Sequence, residues 1–128
     1  MRDIDHARLL LEMANKDLRA LGGMLNEEVF SEEVFGFHAQ QATEKATKAW
    51  LSALHVEYPI THDLVRLFET LRSTGKTTPP EFLSLEDLTD FAVQYRYEPV
   101  GETGVPAGRQ DILDLVRRFV EHIEKSIE

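Results

Sequence analysis

Apolar residues recur along this chain at spacings of three and four, and that period predicts helices. Ile4, Ala7, Leu11, Ala14, Leu18, Leu21 and Leu25 form one stripe, which predicts a helix over roughly residues 4–25. Asp3 or Asp5 can cap its start. Gly22-Gly23 loosens its end, since glycine costs about 1 kcal/mol against alanine inside a helix. The acidic and polar residues 26–33 read as a connection. A second helix is expected from about Ser31 to Leu54, with Ser31 as N-cap and Glu32 and Glu33 in the first turn, where the helix dipole favours acid. Its inner stripe is Phe35, Ala39, Ala42, Ala46, Ala49 and Ala53. Small side chains there let a neighbouring helix approach closely.

Tyr58-Pro59 ends this segment, because the residue before proline avoids helical geometry. Thr61 or Asp63 starts a short third helix with Leu64, Leu67, Phe68 and Leu71 inward. Residues 73–80 read as a loop, and Pro80 suits the first position of a helix. Phe82, Leu85, Leu88, Phe91 or Ala92, and Tyr95 continue at helical spacing. Residues 96–108 hold Pro99, Gly101, Gly104, Pro106 and Gly108 and form the clearest loop; its length marks it for function. A last helix from about Arg109 presents Ile112, Leu115, Val116, Phe119, Val120, Ile123 and Ile127. No segment alternates with period two. The expected fold is all-α, an up-and-down four-helix bundle with one additional short helix, in a single domain spanning 1–128.

Composition narrows the chemistry. Of 128 residues, 42% are hydrophobic and 29% charged, which excludes wholesale disorder and a membrane-embedded chain. No apolar run approaches the roughly 20 residues of a membrane span, and the first residues lack an apolar signal core. Net charge is −9, from 23 acidic and 14 basic residues. That balance opposes non-specific binding to nucleic acid, yet leaves room for an anion pocket built from two or three cations. There is no cysteine, so disulfides, thiolate metal sites and cysteine nucleophiles are excluded. A cytoplasmic location fits.

There is no glycine-rich phosphate loop and no dinucleotide fingerprint. No Glu is followed three residues later by His, so the di-metal site that bundles often hold loses its main support, and no metal or cofactor is expected. Two polar clusters remain. His38, Gln41 and Lys45 stand at i, i+3 and i+7 on one face of the second helix, beside Glu44 and Lys48. They read either as a solvated flank with a Glu44–Lys48 pair or as a polar wall facing a groove. Asp90, Tyr95, Arg96, Tyr97 and Glu98 stand where a helix meets the long loop. Arg96 either pairs with phosphate through its fork or satisfies helix C-terminal carbonyls. Asp63 reads as a cap, and Trp50 as core or subunit interface. His62 beside Asp63 is a candidate titrating group. His6 and His55 carry no pattern that points to chemistry.

The stretch Phe37-His38-Ala39-Gln40-Gln41-Ala42-Thr43-Glu44-Lys45-Ala46-Thr47-Lys48-Ala49 resembles the signature of HEPN domains, the higher eukaryotes and prokaryotes nucleotide-binding family. Thr61-His62-Asp63-Leu64 and Leu88-Thr89-Asp90-Phe91-Ala92-Val93-Gln94-Tyr95-Arg96-Tyr97 resemble the next two blocks, in order. The resemblance implies a bundle of four to five helices that forms homodimers and acts beside a minimal nucleotidyltransferase, in some cases as a toxin–antitoxin pair. Some members are metal-independent ribonucleases with an Arg, four to six residues, then His. Here Arg96 stands in the Arg position and no His follows within that window. Arg117 and His122 have the spacing but lie inside the last helix, where i and i+5 are about 140° apart.

The reading is therefore a non-catalytic, homodimeric bundle that binds a nucleotide such as ATP, or another phosphate-bearing ligand, and partners a nucleotidyltransferase. Arg96 would pair with phosphate and Tyr97 would stack. His38, Gln41, Lys45, His62 and Asp90 complete the candidate ligand set. A ribonuclease toxin with a variant active site and a pure protein-interaction module are the alternatives.

Overall fold

The computed structural model describes residues 3–94 and 108–127, with residues 92–94 by backbone alone; Arg96 and Tyr97 lie outside this range. Every described element is helical. Helix α1 spans Ile4–Gly23, α2 Glu32–Ala53 and α3 Leu64–Ser73. A 3-10 helix over Pro80–Leu88 runs into α4, Thr89–Gln94, and α5 spans Arg109–Ile127. The expected all-α bundle is what forms.

The start signals behave as their chemistry requires. Ser31 Oγ accepts from the amide of Val34 at 3.2 Å, and Asp63 Oδ1 from that of Val65 at 3.0 Å. Each satisfies a donor that the first helical turn cannot. Asp3 occupies the N-cap of α1 without a side-chain cap bond. Helix α2 closes through two backbone bonds, His55 N to Ser52 O and Val56 N to Leu51 O, with His55 at φ +64°. This is the closure at which glycine is the usual residue.

Helix α2 is the axis of the structure, in contact with α1, α3, α4, α5 and the 3-10 helix. Phe35, Ala39, Ala42, Ala46 and Ala49 are all buried, and α1 meets them with its own buried Ala7 and Ala14. Small residues on both sides bring the two axes close. Helix α1 runs antiparallel to α2, so that Ser52 reaches Asp3 and Lys45 reaches Asp17. Helix α5 runs parallel to α2, with Arg109 near Phe35 and His122 near Trp50. Trp50 is core. Phe119 gathers Phe68 and Phe82 at centroid distances of 5.6 and 5.2 Å.

Two expectations need correction. In α1 the stripe is rotated: Leu10 and Asp17 are buried, Leu18 is only partly so, and Leu25 is exposed. Burial follows the face that meets both α2 and α5, which a single apolar tally does not separate. The segment after Pro80 is not one long α-helix. Phe82, Leu85, Leu88 and Phe91 stand three apart and are all buried. A strict spacing of three keeps one face inward when there are 3.0 residues per turn, which is the 3-10 geometry.

Candidate functional site

The polar face of α2 follows from its sequence at 100° per residue. Gln40, Glu44, Lys48, Gln41, Lys45 and His38 fall in that angular order over an arc of about 160°. The arc flanks the alanine stripe. It is not a freely solvated flank, because Gln40 is fully buried and Glu44 is 4% exposed.

Two carboxylates organise the arc. Asp17 of α1, 8% exposed, holds His38 Nδ1 on Oδ1 at 2.9 Å and Lys45 Nζ on Oδ2 at 2.8 Å. Glu44 holds His62 Nδ1 and Gln40 Nε2 on Oε1, at 2.9 and 2.8 Å, and Lys48 Nζ on Oε2 at 2.9 Å. Gln40 Nε2 also donates to the carbonyl of His62 at 3.2 Å, and Gln41 Nε2 donates to Gln40 Oε1 at 2.7 Å. An isolated buried carboxylate would be costly; here each is matched by two or three donors. The lysines remain reachable from water, with side-chain exposures of 20% for Lys45 and 13% for Lys48.

Burial alone would raise the pKa of Glu44. The hydrogen bonds from Lys48, Gln40 and His62 outweigh it and hold the carboxyl below its ordinary value of 4.5. The folded state therefore binds this proton less readily than the unfolded chain. The pairing contributes its full stability above pH 4.5 and loses it as pH falls through the lower folded value. Urea titrations at descending pH should show a steeper acid loss in the wild type than in Glu44→Gln. At neutral pH that variant should be less stable by about 1–3 kcal/mol, since a removed buried partner leaves Lys48 unmatched. Parallel acid profiles would remove this role from Glu44.

The arc leads into a cleft of about 480 Å³ beyond the C-terminal end of α2, lined in part by Asp3, His6, Ser52, His55 and Tyr58. The Tyr58 hydroxyl lies 2.9 Å from His6 Nε2, and Lys48 Nζ sits 5.4 Å from the Tyr58 ring centroid. Burial, then the negative charges of Asp3 and Glu44, push the Tyr58 pKa up, so its hydroxyl keeps its proton at neutral pH.

Of the candidate ligand residues, the structure thus brings His38, Gln41, Lys45 and His62 onto one strip. Asp90 is exposed on α4 and takes no part in either network. Arg96 and Tyr97 fall outside the described residues. Asp17, Gln40 and Tyr58 were not read from the sequence. Asp17 had a signal: it stands three residues after Ala14 and four before Leu21, inside an apolar stripe. Arg117 and His122 do not share a site. Arg117 is exposed and pairs with Asp114 at 3.0 Å, whereas His122 packs its ring against Trp50 and Phe82, with Nε2 buried and unpartnered. Among the described residues no group of three or more acidic or His side chains is placed to hold a metal ion, and no helix is long and apolar enough to cross a membrane.

Comparison with known proteins agrees with this architecture. No curated protein matches the chain. Among solved structures, TT1696 from Thermus thermophilus is 25% identical, aligns over 98% of both chains and has a TM-score of 0.72. ST0689, an archaeal HEPN homologue, is 20% identical over 95% of this chain and 98% of its own, with a TM-score of 0.58, and shares the fold. The family model of the HEPN domain matches residues 7–126, the span that carries the bundle and the α2 strip, and the chain belongs to the HEPN domain family.

Proposed function

We propose that this HEPN domain is a non-catalytic binding subunit, a homodimer that takes a nucleotide or other phosphate-bearing ligand along the α2 strip and partners a minimal nucleotidyltransferase. The observation that supports the ligand is the pairing of each buried carboxylate with two cationic or imidazole groups. Asp17 holds His38 and Lys45, and Glu44 holds Lys48 and His62. Donors fixed in this way lose little freedom when an anion arrives, and each lysine uses one of its three N–H donors inside the network. The adjoining cleft offers room for the rest of the ligand. The nucleotide and the nucleotidyltransferase partner come from membership of the family.

The test is a calorimetric titration of ATP into wild type, Lys45→Gln, Lys48→Gln and Arg96→Ala, with subunit stoichiometry from light scattering. Binding should weaken at least tenfold, about 1.4 kcal/mol, in each lysine variant. An unchanged Arg96→Ala would take that residue out of the site and leave the strip. No binding of ATP to the wild type would overturn the ligand reading in favour of an interaction module. The fully exposed Ile60 and the half-exposed Leu9 are the features that suit such a module. The ribonuclease reading has no support from Arg117 and His122, which face different surroundings.

A further inference from the structure

A second cleft lies on another side of the bundle, between α1 and α5. It has a volume of about 360 Å³, and its lining includes Asn15, Leu18 and Arg19 from α1 and Arg117, Glu121 and Glu124 from α5. Part of this lining is fixed. Asn15 Nδ2 donates to the carbonyl of Leu11 at 2.9 Å and to Glu124 Oε2 at 3.3 Å. Arg117 Nη1 donates to Asp114 Oδ1, and most of its five N–H donors find no partner among the described residues. Arg19 and Glu121 have no hydrogen-bond or ion-pair partner among the described residues, although their opposite charges line the same cleft.

Two guanidiniums and two carboxylates along one small, open cleft select by charge. A simple anion meets Glu121 and Glu124 and the overall charge of −9, and a simple cation meets Arg19 and Arg117. A molecule with both charges satisfies all four groups. The arginine forks suit a carboxylate bidentately, and the glutamates suit an ammonium. The volume is at the lower end of small-molecule sites, so the ligand is small. We propose that this cleft binds a small zwitterion, an α-amino acid or the joined ends of a short peptide, with its carboxylate on Arg19 and Arg117 and its ammonium on Glu121 and Glu124. The site is separate from the α2 strip and does not rest on the function proposed for it.

The test uses the full chain labelled with 15N. Glycine, glycylglycine, N-acetylglycylglycine, glycylglycinamide and orthophosphate are titrated separately at neutral pH. Glycine or glycylglycine should shift the amide resonances around Asn15, Arg19, Arg117 and Glu121 and reach saturation. The better of the two distinguishes a free amino acid from a peptide. Each capped form should bind at least tenfold more weakly, because each lacks one of the two charges. Arg19→Gln should weaken binding by a similar factor, and Arg66→Gln on α3 should not. Capped forms that bind as well as glycylglycine, orthophosphate that saturates the same resonances, or no shift with either zwitterion would overturn the proposal. Since Arg19 is exposed and has no partner among the described residues, its variant should keep the wild-type spectrum elsewhere, so a lost response reports on binding.

Discussion

Arg109→Ala should destabilise the fold by about 2–4 kcal/mol, although Arg109 is the first residue of α5 and not part of the apolar core. Its guanidinium donates through Nη2 to the carbonyl of Phe30 at 2.7 Å. Through Nη1 it donates to the carbonyls of Met24 and Asn26, at 2.7 and 3.4 Å. It also lies 5.3 Å from the centroid of the Phe35 ring. One side chain thus ties the connection between α1 and α2 to the start of α5. That connection has little else of its own beyond a turn at Asn26, whose Oδ1 accepts from the amide of Glu28. Hydrogen bonds from a charged donor are worth about 1.5–3 kcal/mol each, and water recovers part of the loss because the connection is near the surface. Arg109→Lys should recover little, because an ammonium is a point charge and cannot span separate carbonyls as a planar fork does. Urea unfolding of the three proteins decides the matter. Full recovery by lysine would show that charge, and not the fork, holds the connection. Amide exchange in residues 24–31 should speed up in both variants before any change reaches α2.

Gly36→Ala is the second change with a large expected effect, and its sign opposes helix propensity. Alanine inside α2 should gain about 1 kcal/mol on propensity alone. A Cβ at position 36 would, however, lie 2.2 Å from Cδ1, 2.4 Å from Cε1 and 2.5 Å from Cγ of Phe91. Those contacts reach the base of a rigid ring that is 2% exposed, so the ring cannot simply turn aside. Overpacking costs about 1–3 kcal/mol, and losing the buried ring altogether costs about 3–5. The net expectation is a loss of about 1–3 kcal/mol, or a fall in Tm of roughly 4 °C per kcal/mol for a chain of this size. The double variant Gly36→Ala with Phe91→Ala should lose clearly less than the sum of the single losses, since the added methyl then fills the space the ring vacates. Additive losses, or a more stable Gly36→Ala, would show that Phe91 does not rest on Gly36. The contact also bears on the candidate site. It seats α4 against α2 one turn before Gln40, at the buried end of the arc, and α4 leads directly into residues 95–107.

These two positions show where reading the residues in order reaches its limit. Arg109 bonds to carbonyls 79 to 85 residues earlier in the chain, and nothing local marks it out from other arginines at a helix start. Gly36 looks like a weak point in a helix until Phe91 is placed over it. Glycines 22 and 23, by contrast, sit where an added Cβ would meet nothing within 4 Å, and there the local reading of a loosened helix end was sufficient.

The candidate site divides in the same way. The spacing of His38, Gln41 and Lys45 placed them on one face, because the 3.6-residue repeat is a property of the helix alone. What they pair with came from elsewhere. Asp17 approaches from α1 and His62 from the start of α3, and the alanine stripe lets α1 come close enough for Asp17 to hold both His38 and Lys45. Packing buries the two carboxylates while His38 and His62 stay open to water, and three donors, from Lys48, Gln40 and His62, hold the Glu44 carboxyl in its charged form.

The all-α class, the extent of most helices, their caps at Ser31 and Asp63 and the alanine face of α2 were all legible residue by residue. Each is set within a few positions by backbone hydrogen bonding and side-chain period. The burial of Asp17, the clamp of Arg109 on a distant connection, the seat that Gly36 makes for Phe91, and the turn of His122 to the core while Arg117 faces solvent emerged only from the packed helices. Those outcomes depend on which side chains from separate helices meet, and on the desolvation that follows when they do, and neither quantity is encoded at any one position.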